Sequence, residues 1–260
     1  FCLSKYRSIK TLIPTPESIP LLNKMYSLEA QAMHGQYPII WDRADNFQVF
    51  DRWGNIWIDF TSTIFVANAG HANKRICDAL INTINKPLLH TYSYASEERI
   101  NYLEYLIENT PQQFEKAFLL SAGTEATEVA LKLMRLNGSK KNKKRPGIIC
   151  FNGAYHGRTM GAQMMTGSVE AREWVGFQDP NIHHIDFPYP SDIENPRKFF
   201  NSQINTILDT ENLNPNEDLC GFMLETYQGW CAAFYPEEFI DELFKFAKKH
   251  EILVTFDEMQ

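Results

Sequence analysis

Four short polar segments each stand directly after an apolar run, and each carries side chains able to bind or react. In Ser121-Ala-Gly-Thr-Glu-Ala126, glycine lets the backbone approach a ligand closely. The free N–H groups of a helix's first turn would offer an anion site there, and Thr124 adds a hydroxyl. An ordinary helix cap has the same look. In Phe151-Asn-Gly-Ala-Tyr-His-Gly-Arg-Thr159, glycines flank an aromatic pair. Tyr155 can stack on a planar heterocycle and Arg158 can clamp a carboxylate through two hydrogen bonds, or Tyr and His simply cover a sheet edge. Glu225-Thr-Tyr-Gln-Gly229 places a carboxylate at a strand end, a position equally common for a solvated terminus. Phe256-Asp-Glu-Met-Gln260 delivers Asp257 at the end of a buried strand, where it can pair with a protonated ring nitrogen. A metal-holding strand of a P-loop nucleotidase looks alike, but that rival requires G-x-x-x-x-G-K-[ST], which does not occur here.

These segments need a scaffold that brings strand ends together. Residues 37–60 read as short strands, with a hairpin turn at Asp51-Arg-Trp-Gly54-Asn followed by alternating Ile56, Ile58 and Phe60. Beyond residue 70, helix and strand signals alternate. Helices are expected at Asn73–Asn85 and Ser96–Glu108, and Ala117–Leu120 reads as a buried strand. A helix follows from Thr124, with Ala126, Val129, Ala130, Leu133 and Met134 on its apolar face and Glu128–Lys132 as a supporting ion pair. Strands at Gly147–Phe151 and Gly221–Leu224 flank a long polar and aromatic segment. The helix Pro236–His250 has proline and two glutamates at its start, lysines at its end, and Phe239, Leu243 and Phe246 as a buried stripe. It leads into the strand Ile252–Phe256. Such alternation implies an α/β fold with a mostly parallel sheet covered on both faces, and ligands in such sheets bind at the carboxyl ends of strands.

The 260 residues carry a formal charge of −7, against a nucleic-acid partner, which needs a basic face. The basic run Lys140–Arg145 reads as a solvated loop rather than a phosphate patch. Five scattered cysteines lack zinc spacing, so no metal site is expected and a reducing, cytoplasmic setting is. No apolar stretch approaches the roughly 20 residues that span a bilayer, so no membrane partner is expected. The chain opens without methionine and stops just after an apolar strand, so both ends read as cut, and an organellar leader stays open.

In this order the four segments resemble the class III (ω-type) aminotransferases of pyridoxal-phosphate (PLP) fold type I. Gly54-Asn-Ile-Trp-Ile-Asp-Phe60 and Asn68-Ala-Gly-His71 are similar to that family's opening segment, and the likeness runs from about residue 35 to the end. The resemblance implies a mixed, mostly parallel sheet with helices on both faces as the large domain (66–260), plus part of a smaller α+β domain (1–65). It implies PLP as cofactor, an amino donor and an oxo acceptor as substrates, and a homodimer. Gly123 and Thr124 would bind the cofactor phosphate, Tyr155 would stack on the pyridine, and Asp257 would hold its ring nitrogen protonated. Gln260 would reach the phenolic oxygen, Glu225 would line the site nearby, Arg158 would take a substrate carboxylate, and His156 would be supporting structure.

Three departures qualify the likeness. Where the family commonly reads Glu-Pro-x-Gln-Gly-Glu, this chain has Thr226 and Trp230, which argues against ornithine or 4-aminobutyrate and for a reshaped, more apolar pocket. Ala122 replaces a frequent serine and removes one expected phosphate contact. The family's Schiff-base lysine lies downstream of Asp-x-x-Gln, where this chain ends, and Lys132, Lys245, Lys248 and Lys249 sit on other helices. The chain therefore reads as the front portion of an enzyme that alone would be inactive. An aminomutase, racemase or decarboxylase would share these motifs, and a non-catalytic module is the reading from another class.

Overall fold

The computed structural model describes residues 2–191 and 193–259. Its contacts gather into two units, Phe1–Glu108 and Asn109–Gln260.

In the first unit, β1 (Cys2–Leu3), β2 (Ser8–Ile9), β3 (Arg43–Asp45), β4 (Gln48–Phe50) and β5 (Ile56–Ile58) form an antiparallel sheet in the order β1-β2-β5-β4-β3. The expected hairpin joins β4 to β5, pairing Phe50 with Ile56 and Gln48 with Ile58. Its turn is held by polar groups. Asp51 Oδ1 accepts from Trp53 N at 2.9 Å and Asn55 N at 2.8 Å. Asn55, wholly buried, accepts from Lys10 N at 2.7 Å and Thr11 N at 3.2 Å, and donates to Asp51 Oδ2 at 2.7 Å. Helices α1 (Ile19–Leu28), α2 (Lys74–Ile84) and α3 (Glu97–Glu108) are the longer helices of the unit, α2 starting where Asn73 Oδ1 accepts from Arg75 N. Neither α2 nor α3 buries a residue.

The second unit is a three-layer sandwich. It comprises α4 (Gly123–Lys140), β6 (Gly147–Phe151), α5 (Met160–Met165), α6 (Val169–Glu173), β7 (Ile182–Ile185), α7 (Pro196–Thr210), α8 (Pro215–Asp218), β8 (Leu219–Glu225), the ribbon β9 (Tyr227–Gln228) and β10 (Ala233–Phe234), α9 (Glu237–Lys249) and β11 (Leu253–Asp257). Four strands pair in parallel in the order β11-β8-β6-β7. Every residue of β6 and β8 is buried, as expected of parallel strands covered on both faces. Alternate side chains serve opposite layers. Ile149, Phe151, Phe222 and Leu224 pack with Phe200 and Phe239 of α7 and α9, while Ile148, Cys150, Cys220 and Met223 pack with Leu131 and Met134 of α4. Each such side chain contributes roughly 1.5–3 kcal/mol by leaving water. Gly221 lets α4 approach closely: a Cβ there would lie 2.1 Å from Met134 Sδ.

Several expectations change on this frame. Ala117–Leu120 is not a buried strand: among the described residues nothing pairs with it, and Phe118 is 70% exposed. Backbone groups without a neighbouring strand gain no ladder, so the apolar run stays irregular. The buried stripe of α4 is Thr127, Leu131, Met134 and Gly138, leaving Ala126 and Leu133 exposed. The stripe of α9 ends on Ala247, with Phe246 only partly buried. The basic run Lys140–Arg145 is exposed apart from the half-buried Lys143, as a solvated loop should be, and is anchored where Lys143 Nζ donates to His250 O at 2.9 Å and to Pro215 O at 3.3 Å.

Candidate functional site

The carboxyl ends of β6, β8 and β11 and the amino end of α4 deliver the four polar segments to one place. A cavity of about 300 Å³ is lined by Gly123, Thr124, Tyr155, His156, Gly157, Arg158, Glu225, Asp257 and Met259. Six of the seven residues expected at a site are therefore together. The seventh, Gln260, lies outside the described residues.

Each wall has a local cause. Helix α4 begins at Gly123 with Ala122 as its N-cap, and an alanine methyl cannot accept from the first-turn N–H groups. An anion can take that place. The loop after β6 passes through Gly157 at φ 122°, and a Cβ there would lie 2.3 Å from Thr124 Oγ1, so only glycine lets the loop lie against the helix start. Gln228, wholly buried, donates from Nε2 to Asn152 O at 3.1 Å and fixes the root of the same loop. Tyr155 is 51% exposed, and its backbone N donates to Glu225 Oε2 at 3.3 Å.

Asp257 and Glu225 are register partners on adjacent parallel strands, so two carboxylates share one edge of the cavity. Burial pushes the Glu225 carboxyl above its ordinary range, and the Asp257 charge adds in the same direction. The N–H groups of Tyr155 and Gly229 act against that rise by donating to the carboxylate. Asp257 Oδ2 lies 3.0 Å from Nδ1 of His156, a buried side chain whose Nε2 has no partner among the described residues. With Nδ1–H donating to Oδ2, His156 fixes the rotation of Asp257 and leaves Oδ1 to accept from Met259 N at 3.2 Å or from a ligand.

Sequence reading missed three of the residues that assemble this cavity. Glu128 does not pair with Lys132; its Oε1 accepts from Thr159 Oγ1 at 2.6 Å, Gly161 N at 2.8 Å and Ala162 N at 3.1 Å, capping α5. Thr159 and Gln228 were likewise passed over, although a threonine just ahead of a helix is a capping signal. Trp230 is 89% exposed on the turn between β9 and β10 and is not among the residues lining this cavity. No lysine lines the cavity, and Lys245 pairs with Glu242 on the surface of α9 at 2.8 Å. A larger cleft of about 710 Å³ lies beside Asp186, Tyr189, Glu194 and Lys198, and takes only Asn152 and Gly153 from the four segments. Among the described residues no group of His, Cys, Asp and Glu is placed to hold a metal, and no helix is long and apolar enough to cross a membrane.

Comparison with known proteins gives a consistent result. The model of a family described as aminotransferase class-III matches residues 30–260. The chain is 32% identical over 225 residues to a protein of Candida glabrata named acetylornithine aminotransferase, mitochondrial, covering 84% of this chain and 49% of that protein. It is 26% identical over 276 residues to a protein of Pyrococcus horikoshii named alanine/serine racemase, covering 99% of this chain and 56% of that protein. The chain thus spans about half the length of the curated relatives it matches. Among solved structures, taurine:2-oxoglutarate aminotransferase from Bifidobacterium kashiwanohense, in complex with PLP and glutamate, superposes with a TM-score of 0.80 at 20% identity, over 96% of this chain and 56% of that one. That likeness is one of fold.

Proposed function

The chain belongs to the class-III aminotransferase family, and from that premise we propose that the protein binds pyridoxal 5′-phosphate and moves an amino group between an amino compound and an oxo-acid or aldehyde. One observation carries the proposal: residues from all four ordered segments meet at a single cavity.

The residues suit this cofactor. The uncapped start of α4 suits a phosphate, the half-exposed Tyr155 ring suits a flat heterocycle, and a carboxylate braced by a buried histidine suits a protonated ring nitrogen. When bound, pyridoxal 5′-phosphate supplies an electron-accepting ring that stabilises negative charge developing on the substrate carbon. This chain's residues do the rest of what can be assigned. Backbone N–H groups of Gly123 and Thr124 hold the phosphate oxygens. Tyr155 limits the ring on one face. Asp257 keeps a proton on the ring nitrogen while His156 holds the carboxylate in place. Arg158 orients a substrate carboxylate bidentately, and Glu225 lines the cavity beside Asp257.

We propose further that residues 66–260 belong to the cofactor-binding domain, that the protein acts as a homodimer, and that it works in a reducing compartment, the cytoplasm or an organelle. Among the described residues Cys77, Cys150, Cys220 and Cys231 are unpaired, which favours such a compartment. The Pyrococcus horikoshii relative favours a second reading, racemisation on the same scaffold. Expression of the complete reading frame tests both. Transamination predicts a visible absorbance from lysine-bound cofactor that shifts with amines, and turnover that requires an added oxo-acid. Turnover without an acceptor would select racemisation, and absence of cofactor absorbance would defeat both.

A further inference from the structure

We propose that Glu128 is a positioning residue that draws the Thr124 hydroxyl proton away from the cavity. An anion at the start of α4 would then meet the Thr124 backbone N–H, and its hydroxyl would be committed elsewhere. The inference rests on the reading of Gly123 and Thr124 as the phosphate end of the cofactor site, and it specifies which atoms act there.

The protons can be followed atom by atom. Glu128 Oε1 accepts two backbone N–H groups, from Gly161 at 2.8 Å and Ala162 at 3.1 Å, so it acts as an acceptor. The hydroxyl of Thr159 donates to that same oxygen at 2.6 Å, which uses its single proton. Thr124 Oγ1 lies 2.9 Å from Thr159 Oγ1, and with the Thr159 proton committed, only Thr124 can donate across this contact. Thr159 N in turn donates to Thr124 Oγ1 at 3.3 Å. The Thr124 hydroxyl therefore has no proton left for the cavity it lines. Its swing is also confined, because the loop at Gly157 lies so close that a Cβ there would come within 2.3 Å of Thr124 Oγ1.

The relay explains a juxtaposition that neither the helix start nor the loop needs by itself. Glu128 stands one helical turn beyond Thr124, and Thr159 follows Arg158 in the loop after β6. One carboxylate thus registers the loop bearing Tyr155 and Arg158 against the start of α4.

A double-mutant cycle on the full-length protein tests the idea, reading dissociation constants by fluorescence for pyridoxal 5′-phosphate and, as the phosphate-free control, pyridoxal. Thr124→Val in the native background should weaken pyridoxal 5′-phosphate less than about threefold. In a Thr159→Val background, where the Thr124 proton is free to turn toward the phosphate, the same change should cost about tenfold, the size of a lost hydrogen bond to a charged acceptor. Pyridoxal affinity should not follow this pattern. If Thr159→Val folds poorly, Glu128→Ala replaces it as the background, since Thr159 can then donate back to Thr124, and Glu128→Gln should restore native behaviour by keeping the accepting oxygen. A tenfold loss from Thr124→Val in the native background would overturn the inference while leaving the cofactor reading intact. Equal affinity of the native protein for pyridoxal and its phosphate would overturn the cofactor reading and the inference with it.

Discussion

Helices α9 and α2 carry the same kind of amphipathic pattern and meet opposite fates. In α9, Phe239, Leu243 and Ala247 recur every fourth residue and are buried against the sheet of the second unit. In α2, Ile76, Leu80 and Ile84 recur at the same spacing, yet all three are about half exposed or more. The contrast extends to the units themselves. The second unit is organised by apolar strands buried on both faces, whereas among the described residues the buried hydrophobic side chains of the first are Leu22 and Val49, beside the polar group Thr15, Ser18, Asp51 and Asn55. Periodicity reports which face of a helix is suited to burial; a partner layer decides whether it is buried. The candidate site stands on the unit whose strands are fixed from both sides, as placement of several functional groups to within fractions of an ångström requires.

The contrast can be broken or sharpened by substitution, beginning with the largest effect. Phe222→Ala removes a wholly buried ring between α7, α9 and the sheet, and should cost about 4 kcal/mol in urea unfolding. A loss below about 1 kcal/mol would mean that this layer packs loosely.

Acid should act next on the same unit, through His184. Burial first, and the Arg172 charge second, lower its pKa from 6.5 to about 4. A base held neutral in the fold contributes stability that is complete above its unfolded pKa and is lost as pH falls toward the folded value. Between pH 6.5 and 4 the protein should therefore lose at most about 3 kcal/mol through this residue, and His184→Gln should flatten that slope in urea titrations at each pH.

In the first unit a polar group should matter most. Asn55→Ala leaves Lys10 N, Thr11 N and Asp51 Oδ2 without their partner, and about 2 kcal/mol should be lost. Limited proteolysis of the native and variant proteins would register the change as earlier cleavage within residues 1–60. The smallest effect is expected at Ile84→Lys on the exposed stripe of α2, within about 0.5 kcal/mol. A cost above about 2 kcal/mol would show that the stripe is covered in solution and would remove the contrast drawn with α9.

Much of the second unit was legible in its residues because local signals and tertiary environment agree there. Gly147–Phe151 is wholly apolar and forms a wholly buried strand, and Pro236 with two glutamates marks the start of α9 to within a residue. The strand at Ile182–Ile185 stayed hidden because two histidines interrupt its apolar pattern, and Pro196–Thr210 lay in a segment read only as polar and aromatic, although Asn195-Pro196 is a helix-start signal. The site's residues were legible one motif at a time, since each sits at a strand end. The relay through Glu128 was not, because its partners Thr159, Gly161 and Ala162 are more than thirty positions away and helical spacing supplied Lys132 as a nearer candidate. Ala117–Leu120 erred in the other direction, where composition alone indicated a strand but no described neighbour pairs with it.

In the proposed function the four strand-end segments form one cradle for pyridoxal 5′-phosphate, with Asp257 as its charged anchor. The most direct test is the cofactor's dissociation constant, measured by equilibrium fluorescence titration of the full-length protein and its Asp257→Ala variant. Saturable one-to-one binding to the native protein is expected, with an affinity at least about thirtyfold weaker in the variant, as for a hydrogen-bonded charge pair left without its partner. Equal affinities in the two proteins would contradict it.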